Sequence, residues 1–164
     1  MRILFLAAMF VIGLTVLPAE ASAADFGPSN PFYAASTLPF QAPPFDKIKD
    51  ADYQPAIEAG MAQELKEIQA IANNPQPPTF ENTFIPVQKA GRLLRRALPP
   101  FEQVAGANSN PTLLAARAAI APQLAAHQDA IFLDEKLFQR VKAIYNQRQS
   151  LKLDPESLRL VEVT

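Results

Sequence analysis

The polypeptide has 164 residues, 49% of them apolar, with 15 Lys and Arg against 16 Asp and Glu, so its formal net charge is −1. A chain of this length and composition makes one domain or part of a larger one, and it is too apolar to be disordered. Near-zero charge argues against a protein that binds nucleic acid by neutralising phosphates. The absence of Cys excludes disulfides, thiolate metal sites and cysteine nucleophiles, and a single His excludes a two-His metal site built from this chain alone.

The first 23 residues have the pattern of a secretory signal peptide. Arg2 supplies the positive start, residues 3–17 are an uncharged apolar run, and Ala21-Ser22-Ala23 is the small-residue pattern that signal peptidase cleaves. The alternative is a membrane anchor, but a helix of this run reaches only about 22 Å, short of the roughly 30 Å hydrocarbon core. We therefore expect cleavage after Ala23, a bacterial periplasmic or secreted location, and no membrane attachment afterwards.

Residues 24–50 are predicted to form an extended arm. Five prolines, with Gly, Ser and Asn between them, are typical of irregular or polyproline-like chain. The same stretch contains six large apolar side chains, which are Phe26, Phe32, Tyr33, Leu38, Phe40 and Phe45. A free linker does not need them, so we expect the arm to press these side chains into a folded body. The alternative is a disordered tail.

Residues 51–164 are predicted to be all-α, with about five amphipathic helices. Apolar residues recur at intervals of three and four along 51–72, 79–105, 111–130, 135–150 and from 155 onward. Side chains that can accept free backbone N–H groups stand at the start of four of these segments. They are Asp50 or Asp52, Asn110, Asp134 and Asp154.

The second predicted helix carries both the strongest periodic pattern and the strongest objection to it. Its apolar stripe runs from Phe80 to Ala105 at alternating intervals of four and three residues. Pro99 and Pro100 lie inside this stripe, where a proline removes a backbone donor and costs about 3 kcal/mol. We therefore expect a kink or break near residues 97–100. The last predicted helix has no stop signal before Thr164, which leads us to expect a truncated polypeptide.

The search for catalytic and metal-binding motifs finds none. His-Glu-x-x-His is impossible with His127 alone, the glycines are too scattered for a phosphate cradle, and Gly-x-Ser-x-Gly does not occur. His127 has two interpretations, a catalytic or metal-binding histidine or a histidine in a buried network near a helix end, and the second is favoured. We predict no catalytic and no metal-binding residue, and the substrate-binding residues remain undefined.

Two charged clusters also have a functional and a structural interpretation. Arg92, Arg95 and Arg96 could bind a peptide carboxylate or an acidic partner, or they could form a solvated face with nearby glutamates. Glu64 and Glu67, three residues apart on the first predicted helix, could be paired catalytic carboxylates or part of a solvated face. The structural interpretation is favoured for both clusters, since the sequence shows neither a pocket nor a base beside them.

Six blocks of sequence, in order, extend over most of residues 30–164. They are NPFYAASTLPFQAPPFDKI at 30–48, IANNP at 71–75, PTFENT at 78–83, GAN at 106–108, LAAHQDAI at 124–131 and LDPES at 153–157. Together these blocks resemble the opening of the bacterial peptidyl-dipeptidases, in the thimet oligopeptidase, oligopeptidase A and neurolysin family of zinc peptidases. The first block and PTFENT are specific in combination, whereas either alone is a weak signal.

The resemblance implies a largely helical, two-lobed peptidase with a channel between the lobes, which removes C-terminal dipeptides from oligopeptides. It also implies a zinc ion held by the two His of His-Glu-x-x-His and a further Glu, with the motif Glu activating zinc-bound water. All of these residues lie in the family's C-terminal catalytic lobe, and no position of this sequence matches one of them. We therefore expect this chain to bind no zinc and to be inactive by itself.

Two hypotheses about function stay open. In the first, residues 1–23 are a signal peptide, 24–50 the arm and 51–164 the helical N-terminal segment of a secreted zinc peptidase, truncated before its catalytic region. Its partners are then oligopeptide substrates and the missing catalytic lobe, with no nucleic acid. In the second, the chain is a stand-alone helical binding or scaffold module without catalysis. The first is favoured, and whether the chain counts as an enzyme is uncertain.

Overall fold

The computed structural model describes residues 26–164, and six α-helices follow one another along this part of the chain. They are α1 (Asp50–Ala72), α2 (Phe84–Lys89), α3 (Arg92–Ala107), α4 (Pro111–Phe132), α5 (Glu135–Gln147) and α6 (Pro155–Val163). A 3-10 turn (Pro39–Gln41) precedes them, and the described residues contain no strand. The all-α class predicted from the sequence is confirmed.

The predicted signal peptide, with its cleavage positions Ala21 and Ala23, lies outside the described residues. Within residues 26–164, none of the helices combines the length and the apolar composition that a membrane crossing requires.

The polar residues predicted to cap helices explain where four of the helices begin. Asp52, Asn110, Asp134 and Asp154 each accept a backbone N–H through a side-chain oxygen, at distances between 2.7 and 3.0 Å. These contacts satisfy backbone donors that have no partner inside the helix. The first turns of α1, α4, α5 and α6 are therefore fixed by local sequence.

The predicted second helix is divided, but at a different place from the one expected. It ends as α2 at Lys89, and Ala90 and Gly91 separate it from α3. Gly91 has a φ of 73°, a conformation that glycine adopts without steric cost. The helix α3 then runs through Pro99 and Pro100 without interruption, so of the expected kink or break near residues 97–100 the break is wrong. Its buried face packs along α1, which compensates for the backbone hydrogen bonds that the two prolines remove.

The main core lies between α1, α3 and α4. At its centre the ring of Tyr53 packs between those of Phe32 and Phe101, with centroid distances of 5.4 and 5.5 Å. The helices α1 and α3 cross at Gly60, where an added Cβ would lie 2.8 Å from the Cα of Leu94. The absence of a side chain at Gly60 therefore lets the two backbones touch.

The arm is anchored at one ring, and most of its other apolar side chains are exposed. Phe32 is 1% exposed in the main core, and Phe26 packs partly against it. In contrast, Phe40 is fully exposed, and Tyr33, Leu38 and Phe45 are about half exposed. The expectation that all six side chains press into the body is therefore wrong. The chain turns on itself between residues 38 and 42 through two local backbone hydrogen bonds, which keep this part of the arm away from the helices.

Two smaller apolar clusters, separate from the main core, hold α2, α5 and α6. One joins the end of α1 to Ala90 and Leu137, and the other joins Phe84 of α2, Ile144 of α5 and Val161 of α6. The helices α2, α5 and α6 are thus held by fewer buried side chains than α1, α3 and α4.

Candidate functional site

The chain's single histidine, His127, joins α4 to α1 through a carboxylate. His127 is 8% exposed, and its Nε2 lies 2.9 Å from Oε2 of Glu64. This position agrees with the structural interpretation of His127 as a histidine in a buried network. The sequence identified no partner for it, since Glu64 lies 63 residues earlier in the chain.

Both glutamates of α1 that the sequence singled out meet Gly91. Oε2 of Glu67 accepts the backbone N–H of Gly91 at 2.8 Å. The carboxylate of Glu64 packs so closely on Gly91 that an added Cβ would overlap it. Glu64 and Glu67 are therefore not a simple solvated face, because they connect α1 to the start of α3 and to His127.

Two of the three arginines of α3 donate hydrogen bonds to backbone carbonyls, and the third is exposed to solvent. Arg96 donates through Nε and Nη2 to the carbonyl oxygen of Phe32, at 3.1 and 2.8 Å, and partial burial lowers the pKa of its guanidinium. Arg95 donates to the carbonyls at the end of α2, whereas Arg92 is exposed. Arg95 and Arg96 thus contact backbone carbonyls rather than glutamates, and Arg96 fixes the arm to α3.

Arg140 on α5 is a buried cation that the sequence analysis missed. It is 7% exposed, and its guanidinium donates to the carbonyls of Asn74 and Gln76 at 2.8 and 3.0 Å. It also donates to Oδ1 of Asn82 at 2.7 Å and to the hydroxyl of Thr83 at 3.2 Å. All four acceptors lie in the irregular segment between α1 and α2, which Arg140 therefore holds in place.

A signal for Arg140 was present in the pattern of α5. The residue lies three positions after Leu137 and four before Ile144, so it shares their buried face. A long side chain whose N–H groups lie on the buried side of a helix needs hydrogen-bond acceptors there. The irregular, Asn- and Pro-rich chain at 73–83 has backbone carbonyls free of helical hydrogen bonds and is the natural source of them.

The described residues do not fit the zinc ion that the resemblance implies. In residues 26–164, no three His, Cys, Asp or Glu side chains lie where they could share a metal ion. The His127–Glu64 pair lies at the junction of α4 and α1, where it acts as a structural contact. The polar clusters of this region are best described as fixing helices and loops.

Comparison with known proteins places the chain among relatives of peptidases. It is 44% identical over 135 residues to the dipeptidyl carboxypeptidase of Salmonella typhimurium, and 44% identical over 134 residues to that of Escherichia coli K12. Each match covers 82% of this chain and 20% of the relative, so the chain spans about a fifth of the length of these curated relatives. No family model matches the sequence.

The chain is therefore homologous to a portion of the dipeptidyl carboxypeptidases, and the resemblance found in its sequence blocks is confirmed. The relatives are peptidases, and hence hydrolases, by their names. A match to a fifth of their length fits a segment that lacks the catalytic part.

Proposed function

We propose that the chain supplies the N-terminal helical portion of a secreted zinc peptidase that releases C-terminal dipeptides from oligopeptides. In that enzyme this portion contributes to the wall of the peptide channel, while zinc and the catalytic residues belong to the remaining polypeptide. The observation that carries the proposal is the 44% identity over 135 residues to a dipeptidyl carboxypeptidase. The helices α1, α3 and α4 also support it, because their polar side chains hold the helices and the arm together as a scaffold.

A chimera tests whether the chain can take this role. The matched segment of the Escherichia coli dipeptidyl carboxypeptidase is replaced by the corresponding segment of this chain, and dipeptide release from an oligopeptide is measured with zinc present. We expect the chimera to retain activity because 44% identity preserves a fold and its interfaces. The control is a relative whose own segment has been excised and reinserted with the same junctions. A folded chimera without activity, beside an active control, would contradict the proposal.

The isolated chain provides a second test. Purified without any partner polypeptide, it is expected to release no dipeptides with added zinc, because the described residues offer no metal site. Zinc-dependent release by this chain alone would overturn the assignment of catalysis to other residues.

The proposed export depends on the first 23 residues. Fused to a phosphatase that is active only after export, residues 1–30 should give phosphatase activity, whereas the same fusion starting at Ala24 should not. Mass spectrometry of the exported product should find Ala24 at its N-terminus. An intact N-terminus would favour a membrane anchor, and the absence of phosphatase activity would remove the proposed location.

A stand-alone helical binding module is the second candidate function. It is favoured by the main core, in which α1, α3 and α4 bury their apolar faces against one another with residues of this chain alone. The DNA downstream of the coding sequence discriminates the two. An in-frame or frame-shifted continuation that encodes His-Glu-x-x-His supports the peptidase segment, and a long non-coding stretch supports the module.

A further inference from the structure

The corner between α4 and α5 has an open apolar surface. Phe132, Leu133 and Phe138 are 81%, 79% and 53% exposed. Beside them a cavity of about 150 Å³ opens between α2, α4 and α5. Its apolar lining includes Phe84, Val87, Ile131, Leu137 and Val141. We call this surface, the three exposed side chains and the cavity together, the α4–α5 corner.

The α4–α5 corner offers few polar groups that water could hydrate. Within residues 26–164, Asp134 is the one charged side chain that lines the cavity, and its Oδ1 already accepts the backbone N–H of Leu137 at 2.8 Å. Adjacent exposed aromatic and aliphatic side chains of this kind mark a surface that another polypeptide covers. An enclosed apolar cavity of roughly this volume accepts a group as large as benzene, so the space is large enough for one Leu, Met or Phe side chain.

We propose that the α4–α5 corner is the docking surface for the rest of the peptidase, with one apolar side chain of that polypeptide in the cavity. This inference rests on the proposed function. It is supported by length, because the match occupies 20% of each relative and leaves about four fifths of their polypeptide to cover such a surface. It is also supported by packing, because the side chains of residues 26–164 leave the cavity open.

Single cysteines test the proposal, since the chain contains no Cys of its own. Phe138→Cys reports on the corner, and Gln139→Cys, the next residue on α5 and also exposed, is the matched control. Each is placed in the isolated chain and in the chimera described above, built in a cysteine-free version of the relative. The rate of labelling by a maleimide is then compared between the two proteins.

We expect the cysteine at 138 to react at least about tenfold more slowly in the active chimera than in the isolated chain, with little change at 139, because thiol labelling depends on access. Equal labelling at 138 in an active chimera would overturn the docking surface and leave the proposed function standing. A chimera without an added cysteine that folds but is inactive would overturn both. If the cysteine at 138 reacts more slowly as the concentration of the isolated chain rises, a second copy of the chain covers the corner. That result would overturn the inference.

Discussion

The carboxylate of Glu64 on α1 connects to α4 through His127, with Oε2 of Glu64 2.9 Å from Nε2 of His127, while its other oxygen packs on Gly91. One side chain thus links three parts of the chain, α1, α4 and the start of α3. Because His127 is 8% exposed, the contact is shielded from water, and losing either partner leaves a polar group without its hydrogen bond.

Replacement of the histidine should show what this contact contributes. His127→Ala is expected to lower the free energy of unfolding by about 1–3 kcal/mol, because the carboxylate of Glu64 loses its partner. Gln128→Ala, at the exposed next residue of α4, should change it by less than about 0.5 kcal/mol. Urea unfolding followed by circular dichroism measures both variants. Equal effects at the two positions would show that the contact does not stabilise the fold.

Two glycines of the same region should respond to alanine in opposite directions. Gly91→Ala places a Cβ against the carboxylate of Glu64 at a backbone φ of 73°, so we expect a loss of about 1–3 kcal/mol. Gly106→Ala adds a Cβ with no atom within 4 Å near the end of α3, and helix propensity predicts a gain of up to about 1 kcal/mol. Melting temperatures of the two variants test this difference, and a stable Gly91→Ala would contradict the tight packing.

The parts of the fold that depend on neighbouring residues were predictable from sequence. The caps Asn110, Asp134 and Asp154 each act on an N–H two or three residues away, so spacing alone identifies them. The helix break was misplaced because Pro99 and Pro100 are unfavourable locally, whereas packing of α3 on α1 decides the outcome.

The polar contacts that fix the fold could not be predicted because their partners are far apart in sequence. Glu64 and His127 are 63 residues apart, and Arg140 is 57 to 66 residues from the atoms it binds. The burial of Phe32 and the exposure of Phe40 are equally invisible locally, since both are aromatic residues next to proline. Only the fold determines which of them meets the helices.

Arg140 should tolerate no change of its planar donor group. Arg140→Lys is expected to cost about 2–4 kcal/mol of unfolding free energy, because a compact ammonium cannot reach four acceptors spread along 74–83. The control is Arg159→Lys, where the side chain is 72% exposed and pairs with Glu162 at 3.7 Å. This control should change stability by less than about 0.5 kcal/mol. If chemical denaturation gives both variants the stability of the parent, the buried network has no stabilising role.

Two aromatic residues of the arm, Phe32 and Phe40, provide a matched pair. Phe32→Ala removes a ring that is 1% exposed and packs on Tyr53, and we expect a loss of about 3–5 kcal/mol. Phe40→Ala removes a fully exposed ring and should change stability by less than about 0.5 kcal/mol. Thermal melts of the two variants decide the matter. A large loss at Phe40 would show that the whole arm packs on the helices.

Asp154 at the start of α6 should make stability depend on acid pH. The hydroxyl and backbone N–H of Ser157, together with the N–H of Glu156, stabilise the carboxylate and lower its pKa in the folded chain. A folded-state pKa below the unfolded one adds stability above the unfolded value, near pH 4, and this stability is lost as the pH falls through the folded value.

Ser157→Ala removes the largest cause of the lowered pKa, so the urea midpoint should fall at about pH 7 and approach that of the parent at about pH 3. Ser150→Ala is the control, because its hydroxyl donates to the carbonyl of Gln147 at 2.8 Å and is linked to no carboxylate. Its effect should be the same at both pH values. A difference between Ser157→Ala and the parent that stays constant with pH would show that the Asp154 carboxylate is not the group through which Ser157 acts.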